Sequence, residues 1–221
     1  MTTFFLKILE WCSIIPSPKD KEVKLGAALP NMKTGDLIFS YNSTSAVGYG
    51  IRWFGKCPYS HVGMVIIINR KPYLFNATYN MQHLYVDPYD SSANRSGVIL
   101  ADLEQAVNQE TRPGYFYAWK PLTMPLTERS IEKLMEFVKA TRGRSYQLGL
   151  TDAMSAVFNK DLSNHDSNYF CSEMVGEAFK QCDIIESNNY RETFIIKDFY
   201  YQNEPGTYWR YHYDVCKILK L

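Results

Sequence analysis

The sequence lacks the features that mark several large classes of protein. Its 24 Lys and Arg residues nearly balance 23 Asp and Glu residues, so no overall basic field exists to hold a nucleic acid. No apolar run approaches the 18 residues of a membrane-spanning helix, and the first ten residues lack the basic start of a secretory signal. We therefore expect a folded protein that binds no nucleic acid, and 221 residues suffice for one sizeable domain.

The five cysteines are scattered along the chain and form no CxxC pair. This pattern argues against a disulfide framework and against a zinc knuckle, and it favours a reducing compartment such as the cytoplasm. Cys57 and His61 lie four residues apart, but no second Cys/His pair matches them. We accordingly expect no metal and no cofactor.

Aromatic residues are the one composition class in excess, at 15% of the chain. They are expected either to fill a well-packed core or to form a surface that grips sugars, lipids or peptides. Residues 79–89 and 41–53 are the aromatic segments that are placed to line a cleft. Individual substrate-binding residues are not assigned from the sequence.

Two regions are predicted along the chain. Residues 1–34 form an N-terminal amphipathic helix and a polar connector, and residues 35–221 form a single domain. The apolar residues between Phe5 and Ile15 follow helical spacing. The predicted helix either docks onto the domain or gives a weak membrane association through residues 4–15. The oligomeric state is not predicted.

Strands and helices are predicted in separate runs rather than in strict alternation. The predicted strands are 35–40, 60–68, 72–77, 97–100, 114–119 and a closing strand within 209–216. The predicted helices are 45–54, 102–108, 127–143, 150–158 and one that begins near residue 169. This segregation indicates an α+β domain.

Cys171 is the first candidate for chemistry. It falls in the first turn of a predicted helix, where unpaired N–H groups and the helix dipole favour a thiolate and can hold an oxyanion. We therefore expect a lowered pKa for this thiol. The alternative is an ordinary core cysteine on the apolar face of the helix.

A thiol nucleophile also needs a base and a residue that orients the base. His61 begins a strand and is the candidate base, although a lone histidine beside an apolar strand is often structural. Asn76 lies on the strand predicted to pair next. If the hairpin through residues 69–71 is tight, Asn76 is placed to orient the imidazole.

Four segments together resemble a known family. They are Gly35-Asp-Leu-Ile-Phe, Tyr59-Ser-His-Val-Gly-Met-Val, Leu74-Phe-Asn-Ala and Tyr169-Phe-Cys-Ser-Glu-Met-Val. They are similar to the circularly permuted branch of the NlpC-type papain-like superfamily. That branch includes YiiX-like amidases, lecithin retinol acyltransferase relatives, and proteins of poxviruses and other large DNA viruses. The similarity covers residues 35–180, and the order His, polar residue, Cys is the permuted one.

The resemblance implies a permuted papain-like domain with an antiparallel sheet packed against helices and the nucleophile at a helix N-terminus. It implies Cys171 as nucleophile, His61 as base and Asn76 as the orienting residue, in a hydrolase that cleaves an amide or ester through an acyl-enzyme. YiiX-like members commonly have Glu where Asn76 stands, and Asn cannot add charge beside an imidazolium.

Family members act on peptide-like amides or on lipid esters, so both substrate classes are expected. Two other functions stay open: an inactive binding or virion-associated protein, and a membrane-peripheral lipid acyltransferase. A viral member would lie in the host cytoplasm or the virion.

Overall fold

A computed structural model describes residues 18–78, 88–89, 97–109, 114–145, 171–187, 194–202 and 207–221. Three predictions lie outside these residues: the N-terminal helix with its membrane contact, the helix at 150–158, and most of the aromatic segment 79–89. The division at residue 34 therefore stays a prediction.

Within the described residues, a large sheet forms the centre of the fold. The strands are β1 (Lys21–Lys24), β2 (Leu37–Asn42), β3 (His61–Ile68), β4 (Lys71–Thr78), β5 (Gly97–Asp102), β6 (Tyr115–Lys120), β7 (Ile185–Ser187), β8 (Thr207–Trp209) and β9 (Lys217–Lys220). Seven of them pair in the order β1-β9-β6-β2-β3-β4-β5, and β7 pairs with β8 in a small second sheet. The β1–β9 pair is parallel and the other pairs are antiparallel.

Helices cover both faces of the large sheet. They are α1 (Leu25–Ala28), α2 (Ala46–Gly55), α3 (Leu103–Gln109), α4 (Glu128–Thr141), α5 (Cys171–Gln181) and α6 (Ile196–Tyr201), with a short 3-10 turn at Leu29–Asn31. Side chains of Ser45 and Thr127 cap α2 and α4 by accepting a backbone N–H. The strand and helix segments predicted between residues 35 and 143 are confirmed.

The alternation of side chains along the strands separates two cores. Val62, Met64 and Phe75 pack with α4 and α5 on one face, which we call the helix α5 face. Ile38, Val65 and their neighbours pack with α1 and α3 on the other. This second face is called the pocket face below. Each strand residue therefore belongs to one face, and its neighbour in sequence belongs to the other.

The hairpin between β3 and β4 has the tight turn that the sequence predicts. Asn69 and Arg70 have φ of 50° and 64°, and Ile68 pairs with Lys71 across the turn. Positive φ at both central residues is typical of a type I′ turn, whose twist matches that of the strands. The turn fixes the register of every residue pair further along the hairpin.

Two segments differ from the prediction. The predicted connector contains β1 and α1, because Lys21–Lys24 pair in parallel with β9 and Leu25 and Ala28 enter the core of the pocket face. The predicted closing strand begins at Lys217, after the segment 209–216 that alternates in sequence. In that segment Tyr213 makes an isolated bridge to Leu122 and donates from its hydroxyl to the Gly35 carbonyl at 2.7 Å.

Asp36 joins β2 to the segment that follows β6. Its buried carboxylate accepts hydrogen bonds from the Lys33 N–H at 2.9 Å, the Trp119 Nε1–H at 2.8 Å and the Leu122 N–H at 2.8 Å. Burial raises the pKa of this carboxyl, and the three hydrogen bonds oppose that shift. The carboxylate thus accepts three hydrogen bonds from donors on three different segments of the chain.

We expect Asp36→Ala to lower the free energy of unfolding by at least about 3 kcal/mol, because it leaves three donors unsatisfied. Urea denaturation measures the change. Asp183→Asn is the control, because it removes the charge from a half-exposed ion pair with Lys133, suits the φ of 58° at this position, and should cost less than about 1 kcal/mol. A loss for Asp36→Ala no larger than that of the control would contradict the argument.

Candidate active site

Cys171 is the first residue of α5, and the residue is buried, with 7% of its surface exposed. The backbone N–H groups of Val62, Ser172 and Cys171 itself are in hydrogen-bonding positions toward the sulfur, and each of them lowers the pKa of the thiol. Two of these donors come from the start of the helix, where N–H groups lack intrahelical partners. The third comes from β3. The sulfur therefore lies between the first residue of α5 and the first residues of β3.

The expected lowering of the Cys171 pKa is wrong for the structure. Burial raises the pKa of the thiol by more than the three N–H groups lower it, and the carboxylate of Glu173 raises it further. The pKa of the thiol is therefore raised to about 11. Helix position alone predicted the opposite, because the sequence does not show the depth of burial. Cys171 nevertheless has the lowest pKa of the four described cysteines, since burial raises the others, Cys57, Cys182 and Cys216, to about 12.

His61 is the first residue of β3 and lies directly opposite Ser40 of β2. It precedes Val62, whose N–H faces the Cys171 sulfur, so the thiol lies beside the peptide bond that joins His61 to Val62. The predicted nucleophile and the predicted base are thus brought to the same end of β3. Sequence positions 110 residues apart meet here because α5 packs along β3 and β4.

Asn76 and His61 project from the same face of the sheet. The register of the β3–β4 hairpin places Asn76 opposite Gly63, two residues after His61. A Cβ on Gly63 would come within 2.9 Å of the Asn76 Cβ, so the glycine makes room for the asparagine. This contact explains the glycine of the His-Val-Gly segment. It also makes Asn76 a diagonal neighbour of His61.

A pocket of about 250 Å³ lies over this face. Ser40, His61, Asn76 and Tyr117 line its floor, from four neighbouring strands. Residues of α2 and of the turn before it form the opposite wall. Part of the aromatic segment 41–53 therefore lines a pocket, as the sequence predicted for a cleft.

The thiol approaches from the other side of the sheet. Cys171 packs in the core of the helix α5 face together with Val62, whereas His61 and Asn76 line the pocket on the opposite face. The three residues therefore converge at the end of β3 rather than on one surface. The imidazole belongs to the first residue of β3, where a side chain can turn around the end of the sheet.

The family of the chain follows from its sequence profile. The profile of the permuted papain-like amidase enzymes, YaeF/YiiX, C92 family, matches residues 31–216. The chain belongs to this family. This membership confirms the predicted resemblance, the α+β permuted papain-like fold and the enzyme class, a papain-like amidase or peptidase.

One solved structure that matches this chain is described as the metalloprotein YiiX from Escherichia coli O157:H7. It is 20% identical, its TM-score is 0.48, and the match covers 83% of this chain and 97% of that chain. No curated protein matches this C92 family member.

Other sequence features fall outside the candidate site. In the part of the chain that the structure describes, no three His, Cys, Asp or Glu side chains are grouped so that they could hold a metal ion. No helix among the described residues has the length and apolarity needed to cross a membrane.

Glu173 lies buried in the first turn of α5, and its charge acts on Cys171 by raising the pKa of the thiol.

Two groups near the candidate site, a backbone N–H and a tyrosine side chain, were not indicated by the sequence of this C92 family member. The Val62 N–H is a backbone group, and backbone donors leave no residue-type signal. Tyr117 lies on β6, and its place beside Ser40 follows only from the strand order. A period-2 pattern shows which residues share a face, but not which strands are neighbours.

Proposed function

We propose that the protein is a cysteine amidase that works through an acyl-enzyme, with Cys171 as nucleophile, His61 as base and Asn76 as the residue that orients His61. The observation that carries the proposal is the sulfur position, at the start of α5 and beside the His61–Val62 peptide. Membership of an amidase family supports the reaction class. The His, polar residue, Cys order supports the assignment of roles.

The first step is attack on the amide carbonyl. With a pKa of about 11, Cys171 is a neutral thiol at neutral pH and needs a base to become a nucleophile. His61 takes the thiol proton, and the sulfur forms a bond to the carbonyl carbon. The carbonyl oxygen gains the negative charge, for which the N–H groups near the sulfur are donors.

The second step expels the amine. The protonated imidazole of His61 gives its proton to the amide nitrogen as the carbon–nitrogen bond breaks, which leaves a thioester on Cys171. Water then attacks the thioester with His61 again as base. His61 takes a proton from the water and returns it to the sulfur as the carbon–sulfur bond breaks. The products are a carboxylic acid and the free thiol.

Asn76 serves this cycle by geometry rather than charge. Its amide is fully buried, and neither its oxygen nor its nitrogen has a hydrogen-bond partner among the residues that the structure describes. Leaving a buried amide unpaired costs about 1–3 kcal/mol, so a partner in the working site offsets this cost. We infer that the amide oxygen accepts from the imidazole when His61 turns toward the thiol, which fixes the tautomer.

Cysteine-resolved alkylation by iodoacetamide tests the site. Because burial raises the pKa of Cys171 to about 11 and that of the other three described thiols to about 12, Cys171 should hold the largest thiolate fraction at any pH below 10. We expect its labelling rate to be the highest of the four and to fall in His61→Ala, where the remaining rate should rise about tenfold per pH unit between pH 7 and 10. Mass spectrometry of the labelled peptides gives the rates.

The remaining described cysteines are internal controls in each sample. Cys182 follows α5 and is fully buried, so it reports opening of the same helix. If Cys171 reacts no faster than Cys182, or if His61→Ala leaves its rate unchanged, the thiol–imidazole pair does not exist and the proposed function fails.

A further inference from the structure

We propose that the pocket beside His61 binds an uncharged, amide-bearing part of the substrate, namely the leaving-group side of the scissile bond. The inference rests on the proposed function, because His61 protonates the leaving group. Its own basis is the chemistry of the pocket walls. It names a substrate class: a carboxamide or an internal peptide segment rather than a free amino acid or a charged terminus.

Unsatisfied buried groups indicate a polar ligand. The Asn76 amide is fully buried and the Tyr117 hydroxyl belongs to a side chain only 3% exposed, and both line the pocket. Neither has a hydrogen-bond partner among the residues that the structure describes. When the Asn76 oxygen serves His61, the Asn76 nitrogen still has protons to donate. The ligand must therefore offer an acceptor to Asn76 and a hydrogen bond to Tyr117.

The separation of the strands that carry Asn76 and Tyr117 indicates an extended ligand. Tyr117 lies opposite Ser40, Ser40 lies opposite His61, and Asn76 is on the next strand. Three strand spacings place the two backbones about 14 Å apart. The volume of about 250 Å³ falls below the 300–1,000 Å³ of whole-ligand pockets. The pocket therefore holds a short extended part of a longer substrate rather than a whole ligand.

The lining excludes a charged group. Among the described residues that line the pocket there is no Asp, Glu, Lys or Arg, and the hydroxyls and amides there are neutral. An ammonium placed in the pocket would lose hydration and meet no carboxylate, and a carboxylate would lose hydration and meet no Lys or Arg. The rim is apolar, since Val47 is 48% exposed and Tyr115 is 36% exposed at the edge. An apolar side chain therefore fits beside the neutral backbone.

Binding of a matched pair of small ligands tests this inference without turnover. The ligands are N-acetyl-leucinamide and N-acetyl-leucine at pH 7, which differ by an amide against a carboxylate. They are titrated by nuclear magnetic resonance into full-length Cys171→Ala protein. We expect the amide to bind at least tenfold more tightly. Equal binding of the two, or no amide binding at 20 mM, would overturn the inference.

Tyr117→Phe, made in the Cys171→Ala background, separates the pocket from the fold. Removing an unpaired buried hydroxyl should raise the thermal unfolding midpoint, whereas removing a ligand partner should weaken amide binding about fivefold. Tyr73→Phe is the control, because Tyr73 lies on β4, the strand that carries Asn76, and packs on the opposite, helix α5 face. Unchanged amide affinity in Tyr117→Phe would overturn the role of the hydroxyl. Amide binding in the pocket does not depend on Cys171. If the amide binds but the thiol proves inert, that pair of results would contradict the proposed function and leave this inference standing.

Discussion

Replacing Cys171 by Ser should reduce kcat/KM for an uncharged N-acyl amino-acid anilide at least about 10³-fold, equivalent to about 4 kcal/mol of transition-state stabilisation. The sulfur is the atom that bonds to the carbonyl in the proposed cycle. A serine hydroxyl in the same buried place is far less acidic than a thiol whose pKa is about 11. Release of the aniline, followed by its absorbance, measures the loss.

Cys182→Ser is the matched control for this substitution. Both cysteines are buried, both pack in the core of the helix α5 face, and Cys182 follows the last residue of the helix that Cys171 begins. Cys182→Ser should destabilise the fold and keep the activity of the folded fraction. If the two variants lose activity alike, or if Cys171→Ser keeps more than a tenth of it, Cys171 is a core cysteine and not a nucleophile.

The local elements around the site were predictable because local signals specify them. The β-branched run of β3, the tight turn at Asn69 and Arg70, and the Thr127 cap of α4 are each written in a few neighbouring residues. The same signals brought Asn76 next to His61, since a two-residue turn fixes the register of the hairpin. Fold class followed from the segregation of these elements.

Long-range pairing was not predictable in this way. β1 has only four residues, and the charged residues at its two ends are exposed. It forms a strand because β9, far away in sequence, pairs with it in parallel. The segment 209–216 alternates like a strand but is held by scattered contacts, such as the isolated bridge of Tyr213 to Leu122 and the Tyr213 hydroxyl bond to Gly35. In both places tertiary contacts override the local pattern.

The electrostatics of the site depend on burial as well as on position. Cys171 does stand at a helix start with three N–H groups near its sulfur, as its place in the sequence predicted, yet its pKa moves upward. Desolvation grows with every apolar side chain packed around the thiol, and that packing comes from strands and helices across the core. A resting thiol of this kind avoids adventitious oxidation, because the thiolate is the reactive form. Activity then depends on the base.

Replacing His61 by Ala should therefore lower kcat/KM by about 10²–10⁴-fold, the range for loss of a general base. It should also change the pH profile. Without the imidazole, only the thiolate that forms in free equilibrium can react, and a thiol with a pKa of about 11 gains thiolate about tenfold per unit as the pH rises toward 11. The residual activity of His61→Ala should rise with that slope from pH 7 to pH 10. Wild-type activity should not, because His61 supplies the base at neutral pH.

His212→Ala is the control, since His212 is exposed in the tail and its described hydrogen bonds use its backbone oxygen. Its rate and pH profile should match those of the wild type. The slope distinguishes catalysis from folding: a variant that merely unfolds loses activity at every pH in the same proportion. If His61→Ala keeps the wild-type profile at a lower level, His61 stabilises the start of β3 and another group is the base. A loss smaller than about tenfold would lead to the same conclusion.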